Sequence, residues 1–243
     1  MLPVFALLGL FVGSFENVCI DRLPRGQSIV NPPSHCFACS RKLSVLDLVP
    51  LFSYLWLRGR CCYCQAHIPL KLPIVEGVTG LFFGFLYWNF GLGPELGIAL
   101  VYACLLIVIF VIDLETQLVL DKVTYPGMIL ALALSFFWPG LGVVSSLEGG
   151  ALGLVAMALP FIIYRRGMGM GDIKLGALVG LMSGYPLVAI ALLLAVIAGG
   201  LVGAILLAFK IKKRSDPIPF APFLAASAMV TLLWGQVIWQ WYL

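Results

Sequence analysis

The chain has 243 residues, 62% of them hydrophobic and only 11% charged. A soluble domain of this size does not have that composition, so the chain is read as an all-α polytopic membrane protein. The net charge of +4 comes without an aromatic-interleaved basic patch, so anchoring at the lipid bilayer is expected and nucleic-acid binding is not.

In chain order, apolar runs near 20 residues, with shorter ones admitted where Gly or Pro interrupts them, give about eight candidate transmembrane helices. They cover residues 3–20, 72–91, 96–112, 123–138, 147–164, 175–182, 187–210 and 217–241. The sixth run is too short to cross alone; it needs the residues from Asp172 onward and part of the next run. The N-terminal run lacks a basic segment before it and passes the point where a small-residue cleavage site belongs, so it is not a signal peptide.

All 15 basic residues fall on alternate loops. Arg22, Arg25, Arg41, Lys42, Arg58, Arg60 and Lys71 lie between the first and second runs, and Lys122 between the third and fourth. Arg165, Arg166 and Lys174 lie between the fifth and sixth, and Lys210, Lys212, Lys213 and Arg214 between the seventh and eighth. The other loops carry only Glu95 and Glu148. By the positive-inside rule the basic loops are cytoplasmic and both termini face outward. Asp113 and Asp172 then share the cytoplasmic side.

Residues 21–71 form the one sizeable polar segment. It holds two C-x-x-C pairs, Cys36-Phe37-Ala38-Cys39 and Cys61-Cys62-Tyr63-Cys64, separated by 21 residues. Each pair lets two thiolates face one ion, and two pairs complete a tetrahedral four-sulfur site, most often zinc, with iron the alternative. Cytosolic placement argues against disulfides, and a small insert with few apolar residues needs such a staple. With all four positions filled by protein, the metal is structural. Cys62 breaks the spacing and is a bystander, while Cys19 and Cys104 lie in apolar runs as core residues. His35 and His67 flank the pairs; of the two, His35 is the better substitute ligand.

Acids at the edge of membrane spans are costly and mark functional sites. Asp113 closes the third run, and Asp172 follows the glycines of Gly167-Met168-Gly169-Met170-Gly171. Glycine lets backbone or substrate approach closely, so an extended peptide can lie against Gly169 and Gly171 with Asp172 at its scissile bond. The bland alternative is a helix cap, with Lys174 offsetting the Asp172 charge. A second acid on the same side favours chemistry, because paired carboxylates can share one proton and activate water. Asp121 precedes Lys122 and suits capping or ion pairing, yet it is the main rival to Asp113. Glu16 and Glu76 sit in or near apolar runs and suit either substrate contact or helix pairing, with Glu76 able to reach toward an Arg or Lys at headgroup depth. Acids at Glu16, Asp21 and Asp47 are candidates to attract a basic segment. Ala198-Gly199-Gly200 and Gly203-Ala204 read as helix-packing surfaces.

No phosphate loop, GxSxG elbow, HExxH or Rossmann fingerprint occurs, which removes ATP-driven, serine, zinc-protease and Rossmann-type methyltransferase readings. The alternatives from other classes are a secondary transporter using Asp113, Asp172 and Glu76 as ion or proton sites, and a metal-dependent scaffold. Acids at a membrane edge and no evident inverted repeat weigh against the transporter. The scaffold leaves the glycines and paired aspartates unexplained.

The residues resemble the bacterial prepilin peptidases along nearly the whole chain. The resemblance rests on Gly13-Ser14-Phe15, Asn17, Arg22-Leu23-Pro24-Arg25-Gly26, Pro32-Pro33-Ser34-His35-Cys36 and Cys39. It continues through Arg58-Gly59-Arg60-Cys61, Cys64, Ile112-Asp113, Asp121, Gly169-Met170-Gly171-Asp172-Ile173-Lys174 and Ile218-Pro219-Phe220-Ala221-Pro222-Phe223. GxGD is shared with presenilin-like and preflagellin peptidases; the cysteine insert sets the bacterial enzymes apart. The resemblance implies cleavage of the basic leader of type IV prepilins or type II secretion pseudopilins after a glycine, on the cytoplasmic face of the inner membrane. It further implies methylation of the new amino terminus with S-adenosylmethionine.

On this resemblance Asp113 and Asp172 are the protease acids, with Gly169, Gly171, Lys174 and Asp121 around the substrate. Cys36, Cys39, Cys61 and Cys64 hold zinc, and Gly59 is associated with methyl transfer, for which Glu16 is a further candidate outside the family pattern. The expected organisation is a first transmembrane helix over residues 1–20, a cytoplasmic zinc-binding, methyltransferase-associated insert over 21–71, and a transmembrane aspartyl protease core over 72–243. Leu120, Glu16 and Phe37 depart from the family pattern, the last two near the methyltransferase region.

Overall fold

The computed structural model describes residues 1–163, 169–211 and 219–242. Arg165, Arg166, Gly167, Met168, Lys212, Lys213, Arg214 and Ile218, which entered the sequence reading, lie outside the described residues. Among those described, the regular structure is helical, with α1 Leu2–Arg22, α2 Phe52–Trp56, α3 Lys71–Phe90, α4 Pro94–Thr116, α5 Asp121–Leu134, α6 Gly142–Ile163, α7 Met170–Ser183, α8 Leu187–Ala208 and α9 Ala221–Tyr242.

Five of the described helices, α1, α4, α6, α8 and α9, are long and apolar enough to cross a membrane. The other three of the eight expected runs became α3, α5 and α7. Lys71 and Glu76 lower the hydropathy of α3. At 14 residues each, α5 and α7 reach only about 21 Å, short of a hydrocarbon core of about 30 Å. The sixth run does begin early, at Met170, but it does not continue into the next: Gly184 at φ +70° turns the chain.

The chain divides into two units, Met1–Leu96 and Gly97–Leu243. In the first, α1 and α3 pair closely. A Cβ added to Gly9 would stand 2.7 Å from the Thr79 carbonyl oxygen, and one on Gly80 would stand 2.7 Å from Leu10 Cδ2. Glycine lets these backbones approach where lipid supplies no hydrophobic drive. Phe5 stacks on Tyr87 with centroids 4.7 Å apart, and Lys71 pairs with Asp21 at 2.7 Å.

In the second unit α6 pairs with α7, α8 with α9, and α7 also meets α5 and α9. The α6–α7 contact is made by two small-x-x-x-small pairs facing each other. Gly149 meets the Gly180 carbonyl and Gly153 meets that of Gly176, with no room for a Cβ on any of the four. α4 instead meets α5 through one large side chain: Tyr102 Oη donates to the Ala131 carbonyl at 3.3 Å, and its ring stacks on Trp138 beyond the end of α5. Of the expected glycine packing on α8, Gly199 lies against Phe220 and Phe223, whereas Gly200 faces open space.

Candidate active site and metal centre

Asp113 sits in the last turn of α4, 4% exposed, and its Oδ2 has no hydrogen-bond partner among the described residues. Gln117 adopts φ +54° and its amide returns to the Asp113 carbonyl at 2.9 Å, which ends the helix there. Leu120, extended at ψ 126°, then leads into α5 at Asp121. Val119 in this loop rests on Gly171: a Cβ on that glycine would stand 2.6 Å from the Val119 Cβ. The contact seats the start of α7 beside the end of α4, and the Asp113 and Asp172 carboxyls interact electrostatically.

Asp172 occupies the third position of α7 and its Oδ2 accepts the Gly169 amide at 3.3 Å. The capping half of the alternative is therefore realised, though Lys174 pairs with Asp121 and not with Asp172, and the same residue lies within electrostatic range of a second carboxylate. Gly169 is extended at φ −83°, and among the described residues a Cβ there would meet nothing nearer than 3.8 Å.

Asp121 is engaged elsewhere. Its Oδ1 takes the Lys174 ammonium at 2.6 Å, and its side chain is 56% exposed. Lys174 also lies over the Tyr125 ring, 5.1 Å from the centroid. The pair ties the start of α7 to the first residue of α5, leaving Asp113 as the acid in electrostatic range of Asp172.

The four cysteine thiols Cys36, Cys39, Cys61 and Cys64 gather with all sulfurs within 4.8 Å of one another. Two hairpin turns related by 25 positions build the cluster. The Cys36 amide donates to Arg41 O and the Cys61 amide to Ala66 O, at 3.0 and 2.9 Å. Ser40 and Gln65 both take positive φ, 55° and 58°. Bridges join His35 to Lys42 and Arg60 to His67. Cys36 and Cys64 sulfurs stand 3.7 Å apart, against about 3.8 Å for the edge of a tetrahedron with Zn–S of about 2.3 Å. The donor set therefore fits a tetrahedral thiolate-bound metal. Amides of Cys39 and Ala38 pull the Cys36 thiol down to about 6.

His35 is turned away from this centre, its Nδ1 3.1 Å from the Pro33 carbonyl. Cys62 donates instead to Asp47 Oδ1 at 3.4 Å. Arg41 of the first turn stacks over Tyr63 of the second, 4.3 Å from its centroid.

Gly59 stands at φ +70° against Tyr54, whose Oη would lie 2.8 Å from an added Cβ. Only glycine combines that backbone with that contact. Glu16 is 2% exposed and takes the Thr79 hydroxyl at 2.6 Å within the α1–α3 contact. The expectation that it belongs to an acidic face for a basic segment is corrected: burial withdraws it from solvent. Of the other two acids of that face, Asp21 is paired with Lys71 and Asp47 accepts the Ser44 amide and hydroxyl. Glu76 accepts the Leu51 amide at 2.9 Å, where an Arg or Lys partner was expected.

Sequence reasoning missed the α6–α7 glycines, although Gly149/Gly153 and Gly176/Gly180 carry the small-x-x-x-small signal. It also gave no functional role to Asn17 and none at all to Tyr54, which line a cavity of about 720 Å³ in the first unit. No local motif marks that cavity; it forms where α1, α3 and the cysteine insert converge.

Two families match the chain: one described as Bacterial Peptidase A24 N-terminal domain over residues 7–90, the other as Type IV leader peptidase family over residues 100–204. A prepilin leader peptidase/N-methyltransferase of Bacillus subtilis is 33% identical over 244 residues, covering 100% of this chain and 98% of that protein. Proteins of the same name from Stutzerimonas stutzeri and Pseudomonas aeruginosa are 31% and 32% identical, each over 265 residues and 98% of this chain, and over 92% and 91% of their own lengths. No solved structure matches the chain.

Proposed function

The chain belongs to the prepilin leader peptidase/N-methyltransferase family, and on that premise we propose that Asp113 and Asp172 are the paired carboxylates that cut the leader from a membrane-inserted prepilin or pseudopilin. The observation that carries this assignment is a buried Asp113 within electrostatic range of Asp172, which sits in the first turn of α7. One carboxylate is ionised and takes a proton from the attacking water, while the other gives its proton to the scissile carbonyl oxygen. On collapse the first passes the water's proton to the leaving amine and the second recovers its proton from the hydroxyl oxygen. No acyl-enzyme forms, and the two acids titrate as a pair. Gly169 gives the extended substrate room, while Gly171 and the Lys174–Asp121 pair hold the start of α7 in place.

The distribution of basic residues supports placement in the bacterial inner membrane, with the acids and the cysteine insert cytoplasmic and both termini outside. Cys36, Cys39, Cys61 and Cys64 would hold zinc in a structural role, stapling an insert with little core of its own. S-adenosylmethionine, when bound, supplies an electrophilic methyl group for the amine that cleavage exposes. The family match leaves the transporter reading without support.

The test is incubation of the membrane-embedded protein with a prepilin carrying a Gly–Phe junction, with and without S-adenosylmethionine. Cleavage at that junction in both cases, and one added methyl group only with the donor, is the expected result. An intact precursor after exposure to folded protein would overturn the reading.

A further inference from the structure

The cavity of about 720 Å³ in the first unit is lined by the end of α1, the start of α3 and the cysteine insert. Its size lies within the range of small-molecule sites. Four features of its wall point to one kind of ligand. Asn17 is 2% exposed and its Nδ2 donates to the Leu72 carbonyl at 3.0 Å, while its Oδ1 has no partner among the described residues. A buried acceptor without a donor is costly, and a ligand N–H or O–H relieves it.

Glu76 faces the same cavity, and its partners, the Leu51 amide and the Ser14 hydroxyl, are both neutral. Asp21 on the same wall is already matched by Lys71 at 2.7 Å. Glu76 is thus the carboxylate placed to meet a ligand cation. Arg22 and Arg25 line the cavity from the end of α1 and suit a ligand carboxylate. Tyr54 supplies an aromatic ring, held in position by the absence of a Cβ on Gly59.

We infer that this cavity is the methyl-donor site and takes an adenosyl sulfonium amino acid, S-adenosylmethionine. Glu76 faces the sulfonium, Arg22 and Arg25 the carboxylate, Tyr54 the adenine, and Asn17 Oδ1 accepts a donor from the ligand. The inference rests on the reading of the chain as a methyltransferase. It places the donor wholly within residues 1–96, whereas Asp113 and Asp172 belong to the second unit.

The experiment measures binding rather than turnover. Purified full-length protein in lipid nanodiscs is titrated with radiolabelled S-adenosylmethionine and S-adenosylhomocysteine, then irradiated with the former and mapped by peptide mass spectrometry. Photolabel within residues 14–76 is expected. Glu76→Gln should weaken S-adenosylmethionine about ten-fold and leave the uncharged thioether S-adenosylhomocysteine within about two-fold. Asn17→Leu should weaken both, with metal content and thermal unfolding as checks on folding. Label confined to residues 97–243, or equal loss of both ligands in a folded Glu76→Gln protein, would overturn the site while leaving the methyltransferase reading intact. Displacement of the label by phospholipid but not by S-adenosylhomocysteine would make the cavity a lipid headgroup site and overturn the inference. Absence of any S-adenosylmethionine binding by a wild type that cleaves prepilin would overturn the parent reading and the site together.

Discussion

Gly171 lies against Val119 so closely that a Cβ on the glycine would stand 2.6 Å from the valine Cβ. That contact joins the loop after Asp113 to the helix turn that carries Asp172, so the spacing of the two carboxylates depends on a missing methyl group. Gly169, two positions earlier, has no such neighbour among the described residues. Gly171→Ala should therefore destabilise the second unit by about 1–3 kcal/mol and depress cleavage through displaced acids. Gly169→Ala should leave thermal unfolding unchanged and impair cleavage through the substrate, raising KM. Equal unfolding temperatures for the two variants would contradict this division.

The Lys174–Asp121 bridge is half exposed, and such pairs contribute at most about 1 kcal/mol. Asp121→Asn should accordingly retain cleavage within about ten-fold of wild type. Complete loss of cleavage in a folded Asp121→Asn protein would transfer the catalytic role from Asp113 to Asp121.

Cys36, Cys39, Cys61 and Cys64 close one sulfur cluster from two turns 25 positions apart, and Cys62 is directed at Asp47. Elemental analysis of the purified protein should give one metal per chain, lost in Cys61→Ser and kept in Cys62→Ser. Strong chelation should loosen the insert, read as faster proteolysis within residues 21–71. Metal retained in Cys61→Ser would contradict the four-sulfur assignment.

Gly59 packs on Tyr54 at φ +70°, so Gly59→Ala meets both backbone strain and a clash. The strain alone amounts to about 1–2 kcal/mol. Methylation of a pre-cut substrate should fall while leader cleavage persists, both read from product mass. Unchanged methylation would sever Gly59 from that activity.

The cysteine cluster was legible because C-x-x-C spacing is a local property, and two hairpin turns with matched hydrogen bonds realise it. Asp113 and Asp172 were legible as acids at the ends of apolar runs, since charge there is costly wherever the helices go. Residues whose role depends on a partner distant in sequence were less so. Gly171 needs Val119, Gly59 needs Tyr54, and Glu16 needs Thr79, so spacing could mark the glycines and the acid but not what each one touches. Span counting was weakest for α5 and α7, because composition does not reveal that the helices stop at Leu134 and Ser183 before a membrane length is reached.

The most direct measurement compares wild type, Asp113→Asn and Asp172→Asn, each reconstituted in lipid, for leader cleavage and for methylation of a pre-cut substrate. Asparagine keeps shape but neither ionises nor donates a carboxyl proton, so each variant should lose at least about 10³-fold in cleavage rate. Methylation should remain at the wild-type level in both. Cleavage retained in either variant would contradict the paired-carboxylate account.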